Sequence, residues 1–414
     1  MTSGTRKRWF NVIRLAICAA ALWFVLQGVS LNDQVVLVNG ETVVGTVVSE
    51  GDPVVLATRS GERTELATGS IAKDEDGAPM VAYGLRSAWF KSRKSFLLLA
   101  VLLHLPVVLP QALRFQWLLR VQGIGLSYWE CLKVTLAGNF LNFATPVGSN
   151  AGDVFKAYFV SLHTQHKTEA ITTVVLDRII GLATLVGIVT LIALLIPSDT
   201  RLALLRPYLL AMVGVGALAV ALYLSPVFRR NQAIRKLVAR LPVGGHVERA
   251  DQTTRTLARN WQALAASILL TAFLQSLAMS AYFCVAVAVG LDRAAEHVFE
   301  FLAYFYSGVV IQALPGPPQG LGTVELAYRF FFAPFGSPSQ ILCMAFAIRV
   351  VVLLISLPGL IVTATGSYRP KHLGSLSDVA KATGKEDKAS SGVPLARHNG
   401  EPSSGRPVAA RPGS

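Results

Sequence analysis

In this chain the stretch that decides the fold reads Gly138-Asn-Phe-Leu-Asn-Phe-Ala-Thr-Pro-Val-Gly-Ser-Asn-Ala-Gly-Asp-Val-Phe-Lys-Ala-Tyr158. Shifted by 170 positions, it aligns without a gap with Gly308-Val-Val-Ile-Gln-Ala-Leu-Pro-Gly-Pro-Pro-Gln-Gly-Leu-Gly-Thr-Val-Glu-Leu-Ala-Tyr328. Five of the 21 aligned positions are identical: Gly138/Gly308, Gly152/Gly322, Val154/Val324, Ala157/Ala327 and Tyr158/Tyr328. Each stretch predicts an apolar helix, a Pro/Gly break and a second short helix, which indicates an internal repeat.

Both stretches belong to apolar segments, about 130–160 and 298–334, that Gly, Pro, Asn and Gln interrupt. Three membrane spans are expected between them, beginning near residues 171, 207 and 263. If each broken segment enters and leaves on one side, an odd number of spans places the two on opposite sides. The pattern therefore predicts an inverted repeat of re-entrant hairpins, which transporters use to build midplane substrate sites. The alternative is two ordinary helices with proline kinks.

The composition is that of a membrane protein. Of the 414 residues, 52% are hydrophobic and 15% are charged, whereas soluble proteins carry about 25% charged residues. The net charge of +14 indicates basic cytoplasmic loops, so a nucleic-acid partner is not expected. The four cysteines lie in apolar stretches without metal-ligand spacing, and we expect neither a metal nor a cofactor.

Six charge-poor runs are long enough to cross ~30 Å of hydrocarbon: 15–30, 95–113, 179–197, 207–225, 263–290 and 350–365, the last extending back to about 339. The predicted fold class is an all-α polytopic membrane protein. It has about six full spans plus two broken or re-entrant helical hairpins, about eight hydrophobic segments, in an inverted-repeat arrangement. The first run resembles a signal peptide, but without a small-x-small cleavage site we favour an uncleaved helix.

The distribution of basic residues predicts the topology. Four basic residues precede the first run, and eight lie in 226–262, so both regions are expected to be cytoplasmic. The tail 367–414 cannot build a core and is expected to be disordered and cytoplasmic. We therefore expect a multi-pass protein of a bacterial-type inner (plasma) membrane with both termini in the cytoplasm. One basic cluster falls on the outer side against this rule: Arg86, Lys91, Arg93 and Lys94.

Residues 31–85 differ from the rest, because short β-strands are predicted there: 34–38, 42–49, 54–58 and 63–67, with turns at Asn39-Gly40 and Ser60-Gly61. Nine acidic residues suit the outer side of the membrane. The predicted domains are 1–30 (basic N-terminus and first helix), 31–90 (small β-rich extracytoplasmic domain), 91–366 (transmembrane domain) and 367–414 (tail). The β-rich insert either contacts an envelope protein or is a passive spacer.

Ionisable residues inside apolar segments are costly and suggest function. We interpret Lys156, Arg178 and Arg349 as ligands of a lipid phosphate. Their charges are balanced by three carboxylates when the site is empty: Asp153, Asp177 and Glu325. Glu325 is the expected partner of Arg349. The alternative is that these residues form structural ion pairs or extend to the interface. Arg114 is interpreted as an interfacial anchor, and His104, Pro106 and Pro110 predict a kinked helix.

At these residues the chain resembles the transmembrane region of the lysylphosphatidylglycerol synthase family, which includes flippase-like membrane proteins. The resemblance covers roughly 95–366 and lies in these motifs: Arg114-x-x-Trp117, Gly123, 139–146, Gly152-Asp153-x-x-Lys156, Asp177-Arg178, Pro317-x-x-Gly320-Leu-Gly322-x-x-Glu325 and Arg349. The family more often has Gly-Glu-x-x-Arg and Glu-Arg where this chain has Asp153, Lys156 and Asp177, so the headgroup can differ. The resemblance implies lipid movement between leaflets and adds four residues to the substrate site: Asn139, Asn142, Gly320 and Gly322.

The sequence thus favours a flippase or transporter for an anionic phospholipid or lipid-linked phosphate, with membrane lipids as partners and without enzymatic activity. One alternative is a non-transporting accessory protein that recruits an envelope partner through residues 31–90. The other is a membrane-embedded headgroup transferase, which would need an acid/base or metal constellation that the sequence does not suggest.

Overall fold

The structure is a computed structural model that describes residues 30–49, 53–57, 63–72, 81–144, 151–225, 244–291, 293–313 and 318–365. The predicted first span, apart from Ser30, and the predicted tail lie outside the described residues. The helices are α1 (Leu85–Phe90), α2 (Lys94–His104), α3 (Val108–Val121), α4 (Tyr128–Ala144), α5 (Ala151–Leu162), α6 (Lys167–Leu195), α7 (Thr200–Leu224), α8 (Gly244–Arg259), α9 (Trp261–Val289), α10 (Val298–Ala313), α11 (Thr323–Phe331) and α12 (Pro338–Thr365).

Within the described ranges, five helical segments are long and apolar enough to cross a membrane: α2–α3 taken together, α6, α7, α9 and α12. They overlap five of the six predicted runs, so the chain is a polytopic, mostly helical membrane protein. The predicted kink is present, because α2 ends at His104 and a 3-10 turn over Leu105–Val107 leads into α3. Pro106 in that turn lacks the N–H that a continuous helix requires.

Each broken segment forms two separate helices that pack against each other. In the first, Gly138 of α4 faces Gly152 of α5 so closely that a Cβ on Gly152 would overlap the Gly138 carbonyl. In the second, Gly308 of α10 lies against the Tyr328 ring of α11. The chain therefore reverses between the paired helices, and the alternative of continuous helices with proline kinks is wrong.

The 170-residue shift found in the sequence also relates the helix bounds. Shifting α4 gives 298–314, and α10 spans Val298–Ala313; shifting α6 gives 337–365, and α12 spans Pro338–Thr365. The same shift brings α5 onto α11 and the kinked α2–α3 onto α9, each to within three residues at either end. The structural repeat therefore contains a long span, a helical hairpin and a second long span.

The two copies of the repeat exchange contacts. Helix α4 packs against α12, and its counterpart α10 packs against α6, so each hairpin lies on the long helix of the other copy. Gly359 makes the first contact possible, since a Cβ there would overlap the Leu136 carbonyl of α4. A buried aromatic cluster joins the two helices of the second hairpin: Phe301, Tyr304, Phe305, Tyr328, Phe331 and Phe332. The helical core is thus interlocked across the repeat.

Five described strands between residues 33 and 82 form an antiparallel sheet in the order β4-β3-β2-β1-β5. The strands are β1 (Asp33–Val36), β2 (Thr42–Ser49), β3 (Val54–Ala57), β4 (Arg63–Leu66) and β5 (Val81–Ala82). The predicted Asn39-Gly40 turn joins β1 to β2, with Gly40 at a φ of +84° that glycine tolerates. The predicted turn at Ser60-Gly61 lies outside the described residues.

Asp33 connects this sheet to α1. Its side chain is fully buried and accepts three hydrogen bonds: from the N–H of Val47 at 2.8 Å, from the N–H of Gly84 at 2.7 Å and from Ser87 Oγ at 2.8 Å. The sheet domain is also tied to α12, because Ser337 Oγ donates to the Tyr83 carbonyl at 2.7 Å. The Asp33 carboxylate therefore accepts hydrogen bonds from β2, from the residue that precedes α1 and from α1 itself.

We expect Asp33→Ala to unfold the sheet domain locally, since two buried N–H groups and a hydroxyl lose their acceptor at about 1–3 kcal/mol each. Hydrogen exchange in nanodiscs checks this: protection of the Val47 and Gly84 amides is expected to fall, while that of α9 and α12 is retained. Glu65→Ala, which removes an exposed carboxylate from β4, is the control. Unchanged protection in the Asp33 variant contradicts the role assigned to this residue.

Candidate functional site

A cavity of about 380 Å³ lies among α3, α4, α5, α6, α10 and α12. Most of its polar lining comes from the two hairpins and the long helices beside them. The charged and polar lining residues are His104, Gln111, Arg114, Asn139, Asn142, Asp153, Lys156, Asp177, Arg178, Gln275, Gln312, Gln319 and Ser356. A polar cavity inside an apolar helical domain is tolerated where it serves an ion or a substrate.

One ion pair on the cavity wall joins α5 to α6. Arg178 Nη1 donates to Asp153 Oδ2, and both side chains are only partly buried. Arg178 stands eleven residues into α6, about 17 Å along its axis at 1.5 Å per residue. The pair therefore lies deep along a span, and its charges remain accessible from the cavity.

A second ion pair corrects the interpretation of Arg114. Arg114 Nη2 lies 2.8 Å from Asp177 Oδ1, and Nη1 donates to Thr271 Oγ1 of α9 at 2.6 Å. The residue is 5% exposed, so it is not an interfacial anchor. The predicted span ended at residue 113, but α3 continues to Val121, which places Arg114 inside the helix and forces its charge to find a partner.

Lys156 is the cation of the cavity with no carboxylate partner in the part of the chain that the structure describes. It is 4% exposed, its stem packs on Gly138, and Nζ lies 5.7 Å from the centre of the Phe115 ring. The described lining thus has three Lys and Arg side chains against two Asp side chains, and both carboxylates are already paired with arginines. The cavity consequently has an excess positive charge at Lys156.

The predicted Glu325–Arg349 pair is present in a neighbouring cavity of about 100 Å³. Arg349 Nε donates to Glu325 Oε1 at 2.6 Å, while Glu325 Oε2 accepts the Gly322 N–H at 2.7 Å and so caps α11. Glu325 is 2% exposed. Arg349, like Arg178, stands eleven residues into its long helix. Each copy of the repeat therefore pairs a carboxylate on the short hairpin helix with an arginine on the following span.

Gln319 links the two hairpins and the two cavities. Its Nε2 donates to the Asn142 carbonyl at 2.6 Å, its Oε1 accepts from Gln312 Nε2 at 2.8 Å, and its carbonyl accepts from Arg349 Nη1 at 3.2 Å. Its φ of +55° lies in the left-handed region, which is unusual for a non-glycine residue and concentrates at functional sites. Gln319 is not among the site residues predicted from the sequence, although a polar side chain within the Pro/Gly break was a usable signal.

The sequence-predicted site residues fall into two groups. Six line the larger cavity: Asn139, Asn142, Asp153, Lys156, Asp177 and Arg178. Glu325 and Arg349 line the smaller cavity, and the two glycines serve the backbone: Gly322 precedes α11, and Gly320, at a φ of +62°, packs against Gln312 and Val324. The single predicted site is thus two adjacent cavities joined by Gln312 and Gln319.

The two asparagines hold the first hairpin in place. Asn142 Oδ1 accepts the Gly152 N–H at 2.7 Å, which closes α5 against α4. Asn139 Nδ2 donates to Gln111 Oε1 of α3 at 3.1 Å. Both side chains thus fix the wall from which Lys156 and Asp153 project. The Lys156 ammonium and the neighbouring Arg178 guanidinium can therefore donate hydrogen bonds to an anion in the cavity.

No three His, Cys, Asp or Glu side chains of the described ranges lie close enough together to hold a metal ion.

Comparison with known proteins agrees with the motifs. The sequence profile of the family described as the lysylphosphatidylglycerol synthase TM region matches residues 83–359, well over half of the chain. No curated protein gives a significant match to the sequence.

We expect Glu325→Gln and Arg349→Met to destabilise the protein singly, since each leaves one buried charge uncompensated at about 3–5 kcal/mol. The double variant Glu325→Gln/Arg349→Met is expected to recover most of that loss. Thermal unfolding of the purified protein in one detergent measures all four forms. Strictly additive losses would show that the two side chains do not act as a pair.

Proposed function

The chain belongs to the lysylphosphatidylglycerol synthase TM region family, and on that premise we propose that it moves an anionic phospholipid or a lipid-linked phosphate between leaflets. It is a multi-pass integral membrane protein of this family. The proposal needs no covalent step: the protein binds a headgroup within the membrane and releases it on the other side. The observation that carries it is the buried Lys156 in the cavity between the hairpins.

The charge of the cavity supports a phosphate-bearing substrate. Asp153 and Asp177 neutralise Arg178 and Arg114, which leaves the ammonium of Lys156 for an incoming anion. A phosphate diester carries one negative charge and offers several acceptor oxygens, so it can accept from Lys156 and share the Arg178 guanidinium with Asp153. A zwitterionic headgroup brings its own cation and lacks this net attraction.

The proposed transport rests on an inverted repeat. Helices α5 and α11, of 12 and 9 residues, reach about 18 Å and 14 Å at 1.5 Å per residue, too short for ~30 Å of hydrocarbon. In our proposal each hairpin therefore returns to the side from which it entered. Spans α6, α7 and α9 then lie between the two hairpins in the chain. Because three crossings are an odd number, the two hairpins enter from opposite faces of the membrane. Such repeats allow a central site to open to either side in turn.

We place α8 in the cytoplasm and the sheet domain on the outer face of a bacterial-type plasma membrane. The support is the charge distribution: α8 belongs to the basic region 226–262, while residues 31–85 carry nine acidic residues. Basic loops concentrate on the cytoplasmic side.

The experiment is leaflet exchange in proteoliposomes with labelled phosphatidylglycerol, a polyprenyl phosphate and phosphatidylcholine. We expect exchange of one or both anionic lipids by the unsubstituted protein. Lys156→Gln is expected to slow it at least about tenfold, because a charge-assisted hydrogen bond of 1.5–3 kcal/mol is lost. Lys156→Arg, which keeps the charge, is expected to retain most of the rate.

Lys133→Gln is the matched control, since it removes a lysine from α4 that does not line the cavity. Each variant must show the unfolding midpoint of the parent before its rate is interpreted. An absence of exchange for every lipid with well-folded parent protein would refute transport. Equal rates for the parent and Lys156→Gln would refute the assignment of the cavity as the site.

A further inference from the structure

The polar cavity between the hairpins has two chemically different parts. Its described lining contains five charged side chains: Arg114, Asp153, Lys156, Asp177 and Arg178. Two ion pairs join four of them, and Asp177 and Arg178 are neighbours in the chain. Lys156 lies over the ring of Phe115, which follows Arg114 in α3. The charged side chains thus form one group, and the rest of the described lining has no Asp, Glu, Lys or Arg.

The neutral part of the cavity extends away from this group along two helical segments. Arg114 donates to Thr271 of α9, and Gln275 lies one turn farther along α9. Farther still, His104 stacks on Tyr282, with the ring centres 5.7 Å apart and the planes at 10°. From Thr271 to Tyr282 the axis of α9 rises about 17 Å, and from Arg114 back to His104 the kinked α2–α3 segment spans about 15 Å, at 1.5 Å per residue. A phosphate bound at the charged group would therefore leave this length for the rest of the headgroup.

Two polar atoms in the neutral part are buried without a hydrogen-bond partner in the described ranges: His104 Nδ1 and Gln275 Oε1. Gln275 Nε2 donates to the Gly181 carbonyl of α6 at 3.0 Å, which fixes the amide and leaves Oε1 as an acceptor. The His104 side chain is held by its stack on Tyr282, and the residue is 9% exposed. A buried polar atom that lacks a partner costs free energy, so a ligand that supplies the partners would remove that cost.

A hydroxyl group satisfies both atoms. Gln275 Oε1 can only accept, so its partner must donate, whereas His104 Nδ1 donates or accepts according to the tautomer; a hydroxyl group does both. An ammonium group also donates, but the excess positive charge at Lys156 in the same cavity opposes it. A choline group has no N–H or O–H to donate.

We propose that Gln275 and His104 form a subsite for an uncharged, hydroxylated headgroup, a polyol or sugar, whose phosphate is held at Lys156. The length of the neutral part favours a ring-sized headgroup over a glycerol unit. The inference rests on the proposed binding of a lipid phosphate and deepens it, because Lys156 sets the charge of the substrate while Gln275 and His104 select the group that the phosphate carries.

The test is a binding titration of the full chain in phosphatidylcholine nanodiscs with dioctanoyl phosphatidylinositol and dioctanoyl phosphatidylmethanol. Both probes are phosphate diesters with a single negative charge, and the first alone carries a hydroxylated ring. We expect phosphatidylinositol to bind at least about tenfold more tightly. Gln275→Met, and His104→Phe, which keeps an aromatic ring against Tyr282, are each expected to weaken phosphatidylinositol binding at least about threefold. Neither is expected to change phosphatidylmethanol binding by more than about twofold.

Two further variants separate the subsite from the phosphate site. Gln262→Met is the matched control, because it makes the same substitution in α9 at an exposed position that does not line the cavity; it is expected to leave both affinities unchanged. Lys156→Gln is expected to weaken both probes by the same factor, since it removes the charge that binds the phosphate they share.

Equal affinities of the unsubstituted protein for the two probes would overturn the subsite and leave the proposed transport intact. This comparison needs no variant, so it decides the matter even where a substituted protein unfolds. A loss in Gln275→Met no larger than that in Gln262→Met also overturns the assignment. Binding of neither probe overturns the subsite together with the lipid site at Lys156. Selective binding by a protein that exchanges no lipid supports the subsite and refutes transport alone.

Discussion

The cost of placing charge inside an apolar helical domain constrains the rest of this structure. Asp153, Asp177 and Glu325 each form an ion pair with an arginine. Each pair joins two different helices. Arg114, Asp177 and Glu325 are buried; a buried ion pair contributes little net stability, but removing one partner leaves an uncompensated charge in the apolar interior. The ion pairs therefore connect their helices at defined points, and the apolar surfaces supply most of the packing energy. Lys156 does not belong to any of these ion pairs, and its ammonium makes the net charge of the cavity positive.

The repeat determines where those pairs lie. Because α4 packs on α12 and α10 on α6, the two hairpins meet at the centre, where Gln319 of one bonds to the Asn142 carbonyl of the other. Glycines at 138, 152, 308 and 359 allow these close approaches. The cavity that contains Lys156 lies between the two hairpins, and the smaller cavity that contains Glu325 lies beside the second hairpin, so the two related hairpins have unequal surroundings.

Local pattern was enough to predict much of this fold. Hydropathy located five spans, the Asn39-Gly40 turn located the first strand pair, and the Pro/Gly breaks located both hairpins, because each of these signals depends on residues close in sequence. The 170-residue shift then related the two hairpins as copies. The same reasoning found the Glu325–Arg349 pair. It missed the burial of Arg114, since its partner Asp177 is distant in sequence and the end of α3 was placed too early. It also missed the role of Asp33, whose three donors come from separate elements, and it joined two cavities into one site, because their separation by Gln312 and Gln319 is a tertiary feature.

Among the five described membrane spans, α7 is the least buried, with only 6% of its apolar stretch buried, and it lies chiefly against α6. It also has no counterpart within the repeat. Under the proposed topology, α7 makes the number of crossings between the two hairpins odd. A single extra crossing between the two copies reverses the direction of the second, as an antiparallel dimer would do with separate chains. To reverse the second copy, such a connector needs only the length and apolarity to cross the membrane, as long as the number of crossings stays odd.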